Sequence, residues 1–152
     1  MKTLFIITSA VNSRFGVHSP EQRTQQTIDS IKSVRALAPD ADIAVVEMGG
    51  TPPTAEQVEL LKSQTDYFYN FSEDPAVQDI YHSTENWDIV KNTTEVMVFG
   101  NLLGQLVEDG TVNKYDRIFK MSGRYQLTEN FDQNYYETVP DRIVVRARVG
   151  SQ

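Results

Sequence analysis

Residues Thr3 to Ser9 read TLFIITS, an unbroken apolar run that ends in small polar residues. A strand that is apolar on both faces belongs in a parallel sheet covered on both sides. Ten residues further on, Ser19-Pro20-Glu21-Gln22 carries the marks of a helix start. Ser19 suits the N-cap, Pro20 the first helical position, and Gln22 closes a capping box. Ile28, Ile31, Val34 and Leu37 or Ala38 then recur at helical spacing, and Pro39 ends the helix. Strand, loop and helix in this order form the first half of a βαβ unit.

The alternation continues. Ile43 to Met48 (IAVVEM) reads as a second strand broken by Gly49-Gly50. Thr54 to Gln57 repeats the capping-box pattern and opens a helix carrying Val58 and Leu61. Tyr67 to Phe71 reads as a short third strand, and Asp74-Pro75 as the start of a short helix through Tyr81. The remainder of Ser72 to Asn92 reads as irregular and holds the single tryptophan, Trp87. Thr93 to Val107 reads as the most apolar helix, capped by Asn92 or Thr93 and stopped at Gly110. Arg117 to Met121 is a fourth strand, followed by Ser122-Gly123-Arg124-Tyr125. Ile143 to Val149 alternates, with Arg142, Arg146 and Arg148 pointing one way, as in an edge strand. Alternating elements imply parallel strands joined by right-handed crossovers. The expectation is a three-layer α/β domain over residues 1–152 with a mostly parallel sheet.

Composition narrows the function classes. With 39% hydrophobic and 23% charged residues the chain is neither disordered nor membrane-spanning in character. No apolar run approaches the roughly 20 residues that cross a bilayer, and no export signal is legible, so a cytoplasmic location is expected. The absence of cysteine excludes disulfides, thiolate metal sites and a cysteine nucleophile. A net charge of −7 argues against nucleic acid as a partner. Even so, Lys114, Arg117, Lys120, Arg124, Arg142, Arg146 and Arg148 cluster late in the chain and permit a local anion site.

In open parallel sheets, ligands bind beyond the carboxyl ends of the strands. That rule selects Thr8 to Arg14, Glu47 to Gly50, Ser72 to Asp74 and Ser122 to Tyr125. The first of these leads to the capped helix at Ser19, whose N-terminus suits a phosphate, and Arg14 can add a bidentate contact. An ordinary βα loop is the equal alternative. Glu47 can accept hydrogen bonds from ribose hydroxyls, or simply be a solvated strand end. Lys120 interrupts an apolar strand, where a lysine is costly unless paired. With Gly123, Arg124 and Tyr125 it can serve a phosphate or sugar; it can equally be a salt-bridged lysine at a strand edge. Lys91 and Glu95 stand at i,i+4 and can pair. His18 and His82 lack metal-ligand spacing, and neither a GxGxxG nor a P-loop sequence is present. Asp40-Ala41-Asp42 falls at the amino end of the second strand and reads as a surface turn.

Two segments, Thr3 to Arg23 (TLFIITSAVNSRFGVHSPEQR) and Asp116 to Asp132 (DRIFKMSGRYQLTENFD), together resemble a group of glycosyltransferase-like proteins of bacteria and their phages. These carry a Lys-x-Ser/Thr-Gly-Arg-Tyr motif, and Lys91 to Glu95 fits a polar helix start associated with them. The resemblance implies the nucleotide-sugar-binding half of a GT-A-like fold, with a UDP- or GDP-sugar as ligand and an acceptor it does not identify. The donor-binding residues it points to are Thr8, Ser9, Arg14, Glu47, Lys91, Asn92, Lys120, Ser122, Gly123, Arg124 and Tyr125. Typical GT-A enzymes hold a divalent metal with Asp-x-Asp after the central strand, where this chain has Ser-Gly-Arg. Lys120 and Arg124 can supply that positive charge instead, so no metal cofactor is expected. Full transferases usually continue into an acceptor-binding half that brings the catalytic base, whereas this sequence stops soon after its fifth strand, as expected of a truncated piece, a minimal form or a binding-only relative; Asp74 and Asp132 are the candidate bases within it. A non-catalytic binding module on the same fold is the competing expectation. A nucleotidyltransferase is disfavoured by the missing glycine-rich loop.

Overall fold

The computed structural model describes residues 2–13 and 18–144. The elements run β1 (Thr3–Ser9), α1 (Pro20–Leu37), β2 (Asp42–Glu47), α2 (Ala55–Gln64), β3 (Tyr67–Asn70), α3 (Pro75–Ser83), α4 (Trp87–Glu108), a 3-10 turn (Thr111–Lys114), β4 (Arg117–Ser122) and α5 (Gln133–Glu137). Among the described residues the strands form a four-stranded sheet in the order β3-β2-β1-β4. Every pairing is parallel, with Ile6 opposite both Ala44 and Lys120, and Glu47 opposite Asn70.

The apolar sequence of β1 follows from its central place. All seven of its residues are buried. Leu4 and Ile6 face one layer with Ala44 and Val46, against Val77 and Tyr81 of α3 and Val90, Val98, Leu102 and Leu106 of α4. Phe5 and Ile7 face the other with Ile43 and Val45, against Ile31 and Val34 of α1. Leu61 of α2 joins Ile28 of α1 on that second side. The result is three layers with helices on both faces, a Rossmann-like α/β arrangement. Full burial of each such side chain stabilises the fold by about 1.5–3 kcal/mol.

Both capping boxes form as read. Ser19 accepts from the Gln22 amide while the Gln22 side chain accepts from Ser19, and Thr54 and Gln57 do the same for α2. Asp74 caps α3. Gly110, with φ of 78°, ends α4 in the left-handed region that glycine enters without strain.

Two expectations need correction. The segment after Ser72 is not irregular, and α4 begins at Trp87 instead of Thr93. Its cap is Asn86, whose side chain accepts from the amides of Asp88 and Ile89. Asn92 and Thr93 therefore sit inside the helix as exposed residues. Polar, poorly helix-favouring residues there hid a helix that is held by Val90 and Thr94 on its buried side. The second correction concerns the fifth strand. Ile143 and Val144 are not in a strand, and the rest of that run, with Arg146 and Arg148, lies outside the described residues. No described helix is long and apolar enough to cross a membrane.

Candidate functional site

The strand order reverses between β1 and β4. From β1 the chain winds outward to β2 and β3, then crosses back to place β4 on the other side. The loops leaving the carboxyl ends of β1 and β4 both turn to the α1 side of the sheet, where Leu127 and Phe131 pack, and a cleft lies at these strand ends between α1 and α4. That crevice is lined by Thr8, Ser9 and Ala10 at the end of β1 and by Ser122, Gly123 and Arg124 at the end of β4. Arg23, Gln26 and Thr27 of α1 form one wall; Tyr81 of α3 and Trp87, Lys91, Thr94 and Glu95 of α4 form the other. The cleft holds about 580 Å³ of atom-free space, open solvent included.

The floor is fixed by backbone contacts. The Gly123 amide donates to the Thr8 carbonyl at 2.7 Å, extending the β1–β4 ladder past the strand ends. A β-carbon on Gly123 would stand 2.9 Å from that carbonyl oxygen and 3.0 Å from Thr27 Oγ1, so the close approach admits only glycine. The turn after it is pinned to α1: Ser30 donates to the Tyr125 carbonyl, and the Leu127 amide donates to Ser33 Oγ at 2.9 Å. Arg124 is thereby held at the rim.

Arg23 is the residue sequence reasoning missed. It lies in the first turns of α1, is 8% exposed, and its Nη1 donates to the Ala10 carbonyl at 3.4 Å. Burial, and next the positive charge of Arg124, pull its guanidinium below its ordinary range; the charges of Tyr81 and Glu47 act in the opposite sense. An arginine does not give up its proton under such pressure, so the cleft carries two cationic groups in mutual repulsion. The signal was available. The inward face of α1 is Arg23, Thr24 and Thr27 before it becomes Ile28, Ile31 and Val34, and a polar start on a buried face marks a site.

The other residues read from sequence divide in two. Thr8, Ser9, Lys91, Ser122, Gly123 and Arg124 line the cleft. Glu47 does not. It is 0% exposed, a buried side chain and not a solvated strand end, and it is not part of the cleft lining. Its carboxylate accepts from the Val11 amide at 3.2 Å and the Gly49 amide at 3.0 Å, tying the loop after β1 to the end of β2. Burial raises its pKa from 4.5 to about 7, against the hydrogen bonds from Gly49, Ser9 and Val11 and the charge of Arg23. Asn92 points away on the exposed side of α4, and Tyr125 is 64% exposed beyond the rim. Lys120 lies on the edge strand, bonds to Glu95 and rests 5.9 Å from the Phe99 ring centre. It is thus the salt-bridged edge lysine, and Glu95 pairs with it across the layers instead of with Lys91. Arg14 lies outside the described residues.

Neither candidate base lines the cleft. Asp74 accepts from the Ala76 amide at 2.9 Å as the cap of α3. Asp132 caps α5, whose first residue, Gln133, donates to Thr3 Oγ1 at 3.3 Å at the amino end of β1. That is the opposite end of the sheet. Asp42 is also there, accepting from the Tyr115 hydroxyl at 2.6 Å and from Lys2 at 3.4 Å. Among the described residues no group of three or more histidines and acids is placed to hold a metal ion.

No protein-family model, curated protein or solved structure matches this chain.

Proposed function

We propose that the chain binds a nucleoside-diphosphate sugar in the β1–β4 cleft and is the donor-binding half of a GT-A-type glycosyltransferase. The observation that carries this reading is the convergence of Arg23, Arg124 and Lys91 on one cleft at the switch point of a protein whose net charge is −7. Cations gathered against the overall charge favour an anionic ligand, and Arg23 and Arg124 repel each other less once an anion lies between them. A diphosphate has enough oxygens for both guanidinium forks. Gly123 allows its backbone to come close to such a group, and Thr8, Ser9 and Ser122 offer hydroxyls nearby. In this reading Arg124 takes the charge that builds on the departing diphosphate, the task a divalent metal performs in typical GT-A enzymes.

A second reading, binding without transfer, is favoured by the carboxylates. Asp74 and Asp132 are helix caps outside the cleft, and Glu95, the one carboxylate on the described lining, is paired with Lys120. Titration with UDP, GDP and CDP, with Mn²⁺ or with EDTA, tests both readings through Trp87 fluorescence and thermal shift. One nucleotide at about 100 times its Kd should stabilise the fold by roughly 2.7 kcal/mol in either condition. Arg124→Ala should lose this shift while unfolding cooperatively; retained affinity removes Arg124 from the site. Release of the nucleoside diphosphate from its sugar ester separates transferase from binding module. Binding without any release favours the module.

A further inference from the structure

Two polar atoms on opposite walls of the cleft have no hydrogen-bond partner among the described residues. They are Thr94 Oγ1 on α4, from a residue 1% exposed, and Gln26 Oε1 on α1. Both residues line the cleft. A helical threonine normally returns its hydroxyl to the carbonyl one turn back. Thr24 does so to Pro20 at 2.7 Å, and Thr27 to Arg23 at 3.1 Å. Thr94 does not, although it is more deeply buried than either. A buried hydroxyl without a partner destabilises a fold, and such a group persists where a ligand supplies the missing bond.

The chemistry of the occupant follows from its surroundings. Thr94 and Gln26 are uncharged, and each offers both donor and acceptor. Hydroxyl groups have the same dual character. Met48 and Trp87 add apolar surface beside them. Gln26 also stands one helical turn beyond Arg23, next to the cationic part of the cleft.

We infer that Thr94 and Gln26 form a subsite for an uncharged, hydroxyl-bearing ring, the glycosyl group of the ligand, with the diphosphate held at Arg23 and Arg124. This rests on the reading of the cleft as a nucleotide-sugar site. The test titrates the whole chain calorimetrically with UDP, UDP-glucose, GDP and GDP-mannose, as wild type, Thr94→Val and Gln26→Leu, and melts each form without ligand. Wild type should bind one sugar nucleotide about tenfold more tightly than its parent diphosphate, a difference of about 1.4 kcal/mol. Either variant should erase that preference and leave diphosphate affinity unchanged. Thr94→Val, which exchanges an unsatisfied hydroxyl for a methyl of similar shape, should melt about 2–4 °C higher. A lower melting temperature would mean that the hydroxyl is already bonded within the folded chain, and the subsite would be discarded. Equal affinity of wild type for diphosphate and sugar nucleotide, unmoved by either variant, would overturn the subsite and leave the nucleotide reading intact. Failure of all four compounds to bind would overturn both.

Discussion

Glu47 shows how a single side chain changes meaning between sequence and structure. At the end of a strand it resembles a ligand-facing carboxylate; folded, it is a buried tie between two loops of the cleft. Its folded pKa of about 7 lies above its ordinary 4.5. The folded chain therefore binds more protons than the unfolded chain between those values, and stability falls as pH rises through that window. The stabilising contribution of protonated Glu47 is present in full below pH 4.5 and gone above about pH 7. A shift of this size corresponds to roughly 3 kcal/mol. Urea midpoints at pH 5 and pH 8 should fall for wild type and stay closer together for Glu47→Gln, which cannot ionise. Identical pH dependence in the two proteins would contradict this assignment. Gly123 makes a second prediction at this scale. Gly123→Ala would drive a β-carbon against the Thr8 carbonyl and Thr27, and overpacking of this kind costs about 1–3 kcal/mol. Chemical denaturation measures the loss. Ligand affinity should fall as well, since Arg124 shares the displaced turn.

At the level of elements, α4 is the one most altered by tertiary structure. Asn86 holds its start through two backbone amides, and the first residue inside is Trp87 on the cleft wall. Asn86→Ala should cost about 1 kcal/mol and let this turn fray. Trp87 emission should shift to the red in the folded variant, and an unchanged spectrum would mean that packing alone secures the turn. The edge strand β4 gives a contrasting case. Lys120 and Glu95 are each about a third exposed, with side-chain exposures of 34% and 28%. Exchange of Lys120 for methionine should cost less than about 1 kcal/mol after solvent screening and leave nucleotide affinity unaltered. A large loss of affinity would return Lys120 to the ligand.

Over the whole molecule, the site is a consequence of strand order. With β1 central and β4 placed after the crossover, the carboxyl ends of these two strands must border the crevice. Anion binding there opposes a net charge of −7, so it depends on local cations and is weakened by screening. Raising ionic strength from 0.05 to 0.5 M should weaken nucleotide affinity several-fold while thermal stability changes little. Much of this was legible in the chain. The apolar run of β1, the two capping boxes and Gly110 each announce local structure through chemistry that acts within a few residues, and each stands where it was read. The cleft was half legible. Thr8, Ser9, Ser122, Gly123 and Arg124 could be chosen because the carboxyl end of a parallel strand is known once the strand is known. Arg23, Gln26 and Thr94 could not be chosen by that rule, since they lie on helices and reach the site only when the layers pack.

The sequence by itself determined the period of each element, its caps and the parallel sense of the sheet, because these depend on neighbours along the chain. Tertiary structure alone decided that Glu47 is buried, that Lys120 meets Glu95 at an edge, that Asp132 stands at the wrong end of the sheet, and that Arg23 faces Arg124. Each of these depends on which strand lies beside which, and strand order is set by packing between segments far apart in sequence.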